Sequence, residues 1–257
     1  MIIEGKIMIK VAICGANGKM GQEVVKSVNS ADDMTLVAQI DIFNGQFTTI
    51  KDAKDSVKID VLVDFTQPDS IYENALYCLN NNIKMVIGTT GLSDVQIEEL
   101  EKLSKERNTS CLIAPNFSTG AVLMMKFAEM ASKYFENAEI IELHHNQKKD
   151  APSGTAVKTA SLISGGAESY TTGNCVERES MDGARGANAY NNIHIHSVRM
   201  PGYMASQEVL FGSKGQILTI RHDSTNRECY MPGVLLGIRY AASNDGFVYG
   251  LDKIMEI

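Results

Sequence analysis

Short apolar runs alternate with stretches of helical periodicity through the first half of the chain. Residues 10–14, 35–40, 59–65, 84–87 and 110–114 are rich in aliphatic and β-branched side chains and read as strands. Between them, Val24, Val25 and Val28 recur on one helical face, as do Ile71, Ala75, Leu76 and Leu79. Ser93 followed by Gln96 is a capping box that predicts a helix running to about Arg107. Strands with helical crossovers predict an α/β fold with a Rossmann-like, doubly wound parallel sheet.

The pattern changes after residue 118. A Met-rich helical stretch over about 119–134 leads to a strand at 138–143, a polar cluster, and a short helix after Ser153. Residues 165–189 are rich in Gly, Ser and Asn and read as loops, whereas 192–222 is strand-like. Runs of strand with little helix predict a smaller, separate α+β domain. A final helical pattern at 234–242 is expected to pack back on the first domain.

Composition narrows the classes. Of 257 residues, 44% are hydrophobic and 21% charged, which excludes disordered and fibrous chains. A net charge of −7 disfavours nucleic acid as a partner. No apolar run approaches the ~18–20 residues of a membrane span, and residues 1–10 carry no secretory pattern. The five cysteines are scattered, without a C-x-x-C pair, and read as buried thiols in a reducing cytosol. A soluble cytoplasmic protein is therefore expected.

Gly15, Gly18 and Gly21 follow a strand and open a helix, where backbone N–H groups can approach a pyrophosphate. Asp41 closes the next strand, where a carboxylate can accept hydrogen bonds from an adenosine ribose. Gly88, Thr89 and Thr90, and Ala114, Pro115, Asn116 and Phe117, end two further strands and are candidates for lining the nicotinamide end. The densest chemistry is His144-His145-Asn146-Gln147-Lys148-Lys149-Asp150-Ala151-Pro152-Ser153-Gly154-Thr155. Imidazole transfers protons near neutral pH, and a nearby ammonium can donate a proton or hold a carboxylate. Asp150 as a cap with Pro152 in the first turn would start a helix, its Gly154 and Thr155 N–H groups facing an anion. Adjacent histidines at a strand end point to opposite faces, so no metal site is expected.

Taken together, these motifs resemble the 4-hydroxy-tetrahydrodipicolinate reductases (dihydrodipicolinate reductases) of lysine and diaminopimelate biosynthesis. The resemblance rests on residues 11–21, 60–66, 86–91, 114–118, Glu142 to Lys148 with Asp150 to Thr155, and His196 to Gly202 with Glu208. It implies NADH- or NADPH-dependent reduction of 4-hydroxy-tetrahydrodipicolinate to tetrahydrodipicolinate with loss of water. His144 then matches the proton donor/acceptor and Lys148 a second proton donor, while His145, Gly154 and Thr155 match substrate-binding positions. Gly15, Ala16, Asn17, Gly18, Lys19 and Met20 match the pyrophosphate loop, Asp41 the ribose acid, and 88–90 with 114–117 the nicotinamide walls. The resemblance further implies a dinucleotide-binding domain over 1–117 and 227–257, a substrate-binding and tetramerisation domain over 118–226, and a homotetramer. The seven residues before Met8 have no counterpart in the motif.

Some relatives carry an arginine after the ribose acid; here that position is Ile42. A carboxylate without an adjacent cation should repel a 2′-phosphate, which predicts a preference for NADH, with Lys51 and Lys54 as opposing charges. Fold alone would also allow another nicotinamide oxidoreductase, against which the His-His-x-x-Lys and Ser-Gly-Thr motifs speak. A non-catalytic NAD-sensing regulator would want a basic patch or a DNA-binding helix pair, and the sequence has neither.

Overall fold

The computed structural model describes residues 8–167, 170, 171, 173, 175–255 and 257. The first seven residues and positions 168, 169, 172 and 174 of the expected loop region lie outside that set. The chain divides into two units, Met1–Thr119 with Tyr230–Ile257, and Gly120–Cys229.

The apolar runs of the first half become β1 (Ile9–Cys14), β2 (Met34–Ile40), β3 (Val61–Asp64), β4 (Lys84–Ile87) and β5 (Cys111–Ile113). Between them lie α1 (Lys19–Asn29), α2 (Ile50–Ser56), α3 (Pro68–Asn80) and α4 (Asp94–Arg107). Helix α1 turns Val24 and Val28 inward, and α3 turns Ile71, Ala75, Cys78 and Leu79. The capping box forms as its spacing requires: the Ser93 hydroxyl accepts from the Gln96 N–H, and the Gln96 side chain accepts from the Ser93 N–H. Helix α2 is absent from the sequence reading because it buries only Ile50 and Ala53, too little for a visible period.

The second unit contains most of α5 (Thr119–Ala131), then β6 (Asn137–His144), α6 (Gly154–Ile163), β7 (Ala187–Asn188), β8 (His194–Arg199), β9 (Ala205–Ser213) and β10 (Gln216–Ser224). Its sheet runs β10-β9-β6-β8-β7, with β6 and β8 parallel and the other pairs antiparallel. Alternation along β6 sends Ala138, Ile140 and Glu142 inward. Ala138 and Ile140 join Val209, Phe211, Ile195, and Ala156, Ala160 and Ile163 of α6 in one core. Strand β7 lies within the region expected to be loop; it is two exposed residues long and too short for a period.

The chain then re-enters the first unit with α7 (Met231–Ser243) and β11 (Phe247–Tyr249). The Gly233 and Gly237 positions of α7 lie against Phe117 and Leu112, where a Cβ would collide. Strand β11 pairs in parallel with β5, so among the described residues the parallel sheet has six strands, ordered β11-β5-β4-β3-β1-β2, instead of the five expected. Three residues at a sheet edge carry no alternation to read.

Candidate active site

In the first unit, strand register brings the expected ligand-facing turns into one row. Cys14 pairs with both Ile40 and Asp64, Asp64 with Ile87, and Ile87 with Ile113. The residues that follow (Gly15, Asp41, Phe65, Gly88 and Ala114) therefore leave the sheet at a common edge. Strand order reverses between β1 and β3, the point at which open parallel sheets bind ligands.

The turn after β1 is built to admit an anion. Gly15 takes a φ of +79°, a conformation side chains disfavour, and its N–H and that of Ala16 donate to the Ile40 carbonyl at 2.9 and 3.2 Å. A Cβ at Gly21 would run into the Gly15 carbonyl, so α1 starts tight against the turn. Gly18 offers α1 no side-chain cap, and the first turn holds no acidic residue. The Lys19 and Met20 N–H groups thus lack an intrahelical acceptor at the positive helix end. Helices α2 and α4, by contrast, are capped by Thr49 and Ser93. This cradle fits the pyrophosphate of a dinucleotide.

Asp41 sits beside it. Its carboxylate accepts from the Asn17 N–H at 3.0 Å and the Phe43 N–H at 2.9 Å, and the Asn17 amide donates to the Phe43 carbonyl. Ile42 is 76% exposed, and Lys51 is engaged by Asp55 at 2.6 Å. Gly88 leaves room for the Phe65 ring, which lies 5.8 Å from that of Phe117. Thr89 turns inward: its hydroxyl donates to Asp64 at 2.7 Å. Ala114 and Phe117 are buried, Thr90 is exposed, and the Asn116 side chain accepts from the Ser118 N–H.

Asp64 was not among the sequence candidates. Its fully buried carboxylate accepts from the Thr66 N–H and hydroxyl, the Thr89 hydroxyl and the Asn74 amide, at 2.7–2.9 Å. It ties together the turns that leave β3 and β4. The signal in the sequence was an acid closing an otherwise aliphatic run.

In the second unit, His144 ends β6 on the same face as Glu142, two residues back. Its Nδ1 lies 2.5 Å from Glu142 Oε2. Arg199 grips the same carboxylate with two bonds of 2.8 and 2.7 Å, and the Ser153 N–H donates to it at 3.2 Å. Burial opposes ionisation of Glu142, but hydrogen bonds from His144, Arg199 and Ser197 outweigh it and hold the carboxyl at about 2. An ionised carboxylate can only accept, so Nδ1 carries the proton and Nε2 is left for other partners.

Helix α6 starts differently from the sequence expectation. Ser153 is the cap, its hydroxyl accepting from the Ala156 N–H, and Pro152 precedes it instead of lying in the first turn. The reason is that Asp150 is occupied elsewhere: its carboxylate pairs with Lys148 at 2.8 Å and its carbonyl accepts from Arg199. The Gly154 and Thr155 N–H groups still open the helix without an intrahelical acceptor. His145 is exposed, its Nδ1 accepting from the Gln147 N–H, and no hydrogen bond links it to His144. Glu142 and Arg199 were part of the motifs but were given no role; a charge on the inward face of an apolar strand was the available signal.

The family model for the dihydrodipicolinate reductase N-terminus matches residues 9–117, and that for its C-terminus matches residues 120–255. The chain belongs to the dihydrodipicolinate reductase family. A 4-hydroxy-tetrahydrodipicolinate reductase of Rippkaea orientalis is 46% identical, the match covering 96% of this chain and 98% of that one. One from Lysinibacillus sphaericus is 47% identical over 96% of this chain and 99% of its own. The dipicolinate-bound dihydrodipicolinate reductase of a Paenisporosarcina species superposes with a TM-score of 0.89 at 44% identity, covering 97% of this chain and all of that one. Dihydrodipicolinate reductases are NAD(P)H-dependent oxidoreductases of lysine and diaminopimelate biosynthesis. Among the described residues, no helix is long and apolar enough to cross a membrane, and no group of three or more His, Cys, Asp or Glu side chains could hold a metal ion.

Proposed function

We propose that this chain reduces 4-hydroxy-tetrahydrodipicolinate to tetrahydrodipicolinate with loss of water, preferring NADH, as a cytoplasmic enzyme. The observation that carries the reading is the path His144–Glu142–Ser153, which holds an imidazole and the open N-terminus of α6 in one hydrogen-bonded cluster. A small dicarboxylate suits that cluster: the Gly154 and Thr155 N–H groups bind one carboxylate, and His145 contributes a further contact. The relative that binds dipicolinate, a dicarboxylate of the same size, supports this substrate class.

Residues 15–20 hold the pyrophosphate, Asp41 the adenosine ribose, and 88–90 with 114–117 the nicotinamide. Bound there, the reduced nicotinamide supplies the hydride. Reduction with loss of water consumes one proton besides that hydride. His144 Nε2 and the Lys148 ammonium are the groups that hold and deliver it, Lys148 exchanging its Asp150 partner for the substrate. Residues 118–226 bind the substrate, and residues 1–117 with 227–257 bind the cofactor.

The test is turnover of NADH with substrate generated in situ. His144→Ala and Lys148→Ala should each lose turnover while still binding NADH; unchanged turnover in both removes the assignment. The Asp41 carboxylate beside exposed Ile42 supports the cofactor preference, because nothing cationic follows it to meet a 2′-phosphate. NADH should therefore give the higher kcat/KM, and Ile42→Arg should narrow the gap; a wild-type preference for NADPH refutes this. For the homotetramer, the support is the sheet face opposite the core, where Ile217 is 79% exposed in register with Gly212. Light scattering that returns a monomer excludes it.

A further inference from the structure

Glu142 carries the densest bonding around His144, yet the proposed reaction gives it no part. We propose that Glu142, clamped by Arg199, is a positioning residue that sets the geometry between the proton-handling imidazole and the carboxylate cradle of α6. This rests on the reading of His144 given above.

A carboxylate offers about four lone-pair sites, and here donors from His144, Arg199, Ser153 and Ser197 converge on them. Oε1 accepts from the Ser153 N–H at 3.2 Å and from Arg199 Nη2 at 2.7 Å. Oε2 accepts from His144 Nδ1 at 2.5 Å and from Arg199 Nη1 at 2.8 Å. The planar guanidinium fixes the carboxylate plane, so the group cannot turn to favour one partner over the other. Register makes the grip possible: β6 and β8 run parallel with His144 opposite Arg199, so the arginine reaches back two residues to Glu142.

Two consequences follow for the site. Proton exchange is confined to Nε2, because Nδ1 is committed to Glu142. Ser153 caps α6, so the bond from its N–H to Glu142 also fixes where the Gly154 and Thr155 N–H groups begin. Arg199 adds a second tether by donating to the Asp150 carbonyl at 2.8 Å, which pins the segment carrying Lys148. One carboxylate thus sets both the tautomer of the acid–base group and its separation from the anion-binding helix. An ion pair serving stability alone would have no need to contact His144 and Ser153 together.

Two variants test the proposal. Glu142→Asp keeps a charge for Arg199 but falls one methylene short of spanning His144 and Ser153. The double variant Glu142→Leu/Arg199→Met replaces the pair with apolar groups and leaves no charge unpaired. Each is compared with wild type for kcat, NADH KM, calorimetric affinity for dipicolinate, and the ¹⁵N signals of the His144 ring. Both should lose kcat by about tenfold or more, the scale of partners that orient a functional histidine, with NADH KM little changed. In the double variant the ring signals should move from the Nδ1–H form to a tautomer mixture. Dipicolinate affinity should fall in Glu142→Asp even in a His144→Ala background, because the Ser153 link is independent of the imidazole. Wild-type kcat and an unchanged tautomer in either folded variant overturn the proposal. Full turnover in His144→Ala alone would instead overturn the reading of His144 on which it rests.

Discussion

Replacing Glu142 with Gln removes one titrating group from the interior of the second unit, and the effect on stability can be worked from its surroundings. The side chain is fully buried and its carboxyl is held at about 2 in place of 4.5. That difference corresponds to about 3 kcal/mol of folding free energy at neutral pH. The folded carboxyl takes up a proton less readily than the unfolded one, so acid favours the unfolded chain. The stabilisation is complete above pH 4.5, shrinks as pH falls, and is gone below about 2. Glu142→Gln lacks this dependence, while every other carboxylate titrates in both proteins and cancels in the difference. Urea unfolding followed by circular dichroism should therefore show wild type ahead of Glu142→Gln by about 3 kcal/mol or more near neutrality, because Arg199 also loses its counterion. The gap should close by about 1.4 kcal/mol for each pH unit below about 4.5. A gap that stays constant from about pH 6 to about pH 3.5 would show that the carboxyl is not held ionised by its neighbours.

Two further changes probe the first unit. Asp64→Ala leaves the buried Thr89 hydroxyl and the half-buried Thr66 and Asn74 donors without their acceptor, and at roughly 1–3 kcal/mol for a buried donor left unmet the loss should be about 1–3 kcal/mol or more. A thermal melt within a degree or two of wild type would contradict it. Gly21→Ala drives a Cβ into the Gly15 carbonyl and the Ala16 backbone, which should cost about 1–3 kcal/mol and weaken NADH binding; unaltered NADH titration would show that the turn has room to spare.

Much of the site was legible along the chain because its chemistry is local. Gly15, Gly18 and Gly21 announce a tight strand-to-helix turn, and the Ser93–Gln96 box announces a helix start, because each interaction spans a few residues. The helix after Ser153 was legible, but its cap was read as Asp150, because two residues competed for one role. The choice fell to Ser153 through contacts that sequence spacing does not show: Arg199, forty-nine residues away, takes the Asp150 carbonyl, and Lys148 takes its carboxylate.

Hydrophobic periodicity by itself determined the alternation of strands and helices, and with it the parallel sheet and the edge at which open parallel sheets bind ligands. Aliphatic runs and turn residues act on their neighbours, so their order along the chain is enough. Only the tertiary structure decided that Cys14, Ile40, Asp64, Ile87 and Ile113 stand in one row, that β11 completes the sheet, and that Asp64 and Glu142 are buried and fully bonded. The reason is physical. A buried carboxylate is tolerable only where several donors converge on it, and beside the local donors Thr66 and His144 these are Asn74, Ser153, Thr89 and Arg199, ten to fifty-seven residues away along the chain.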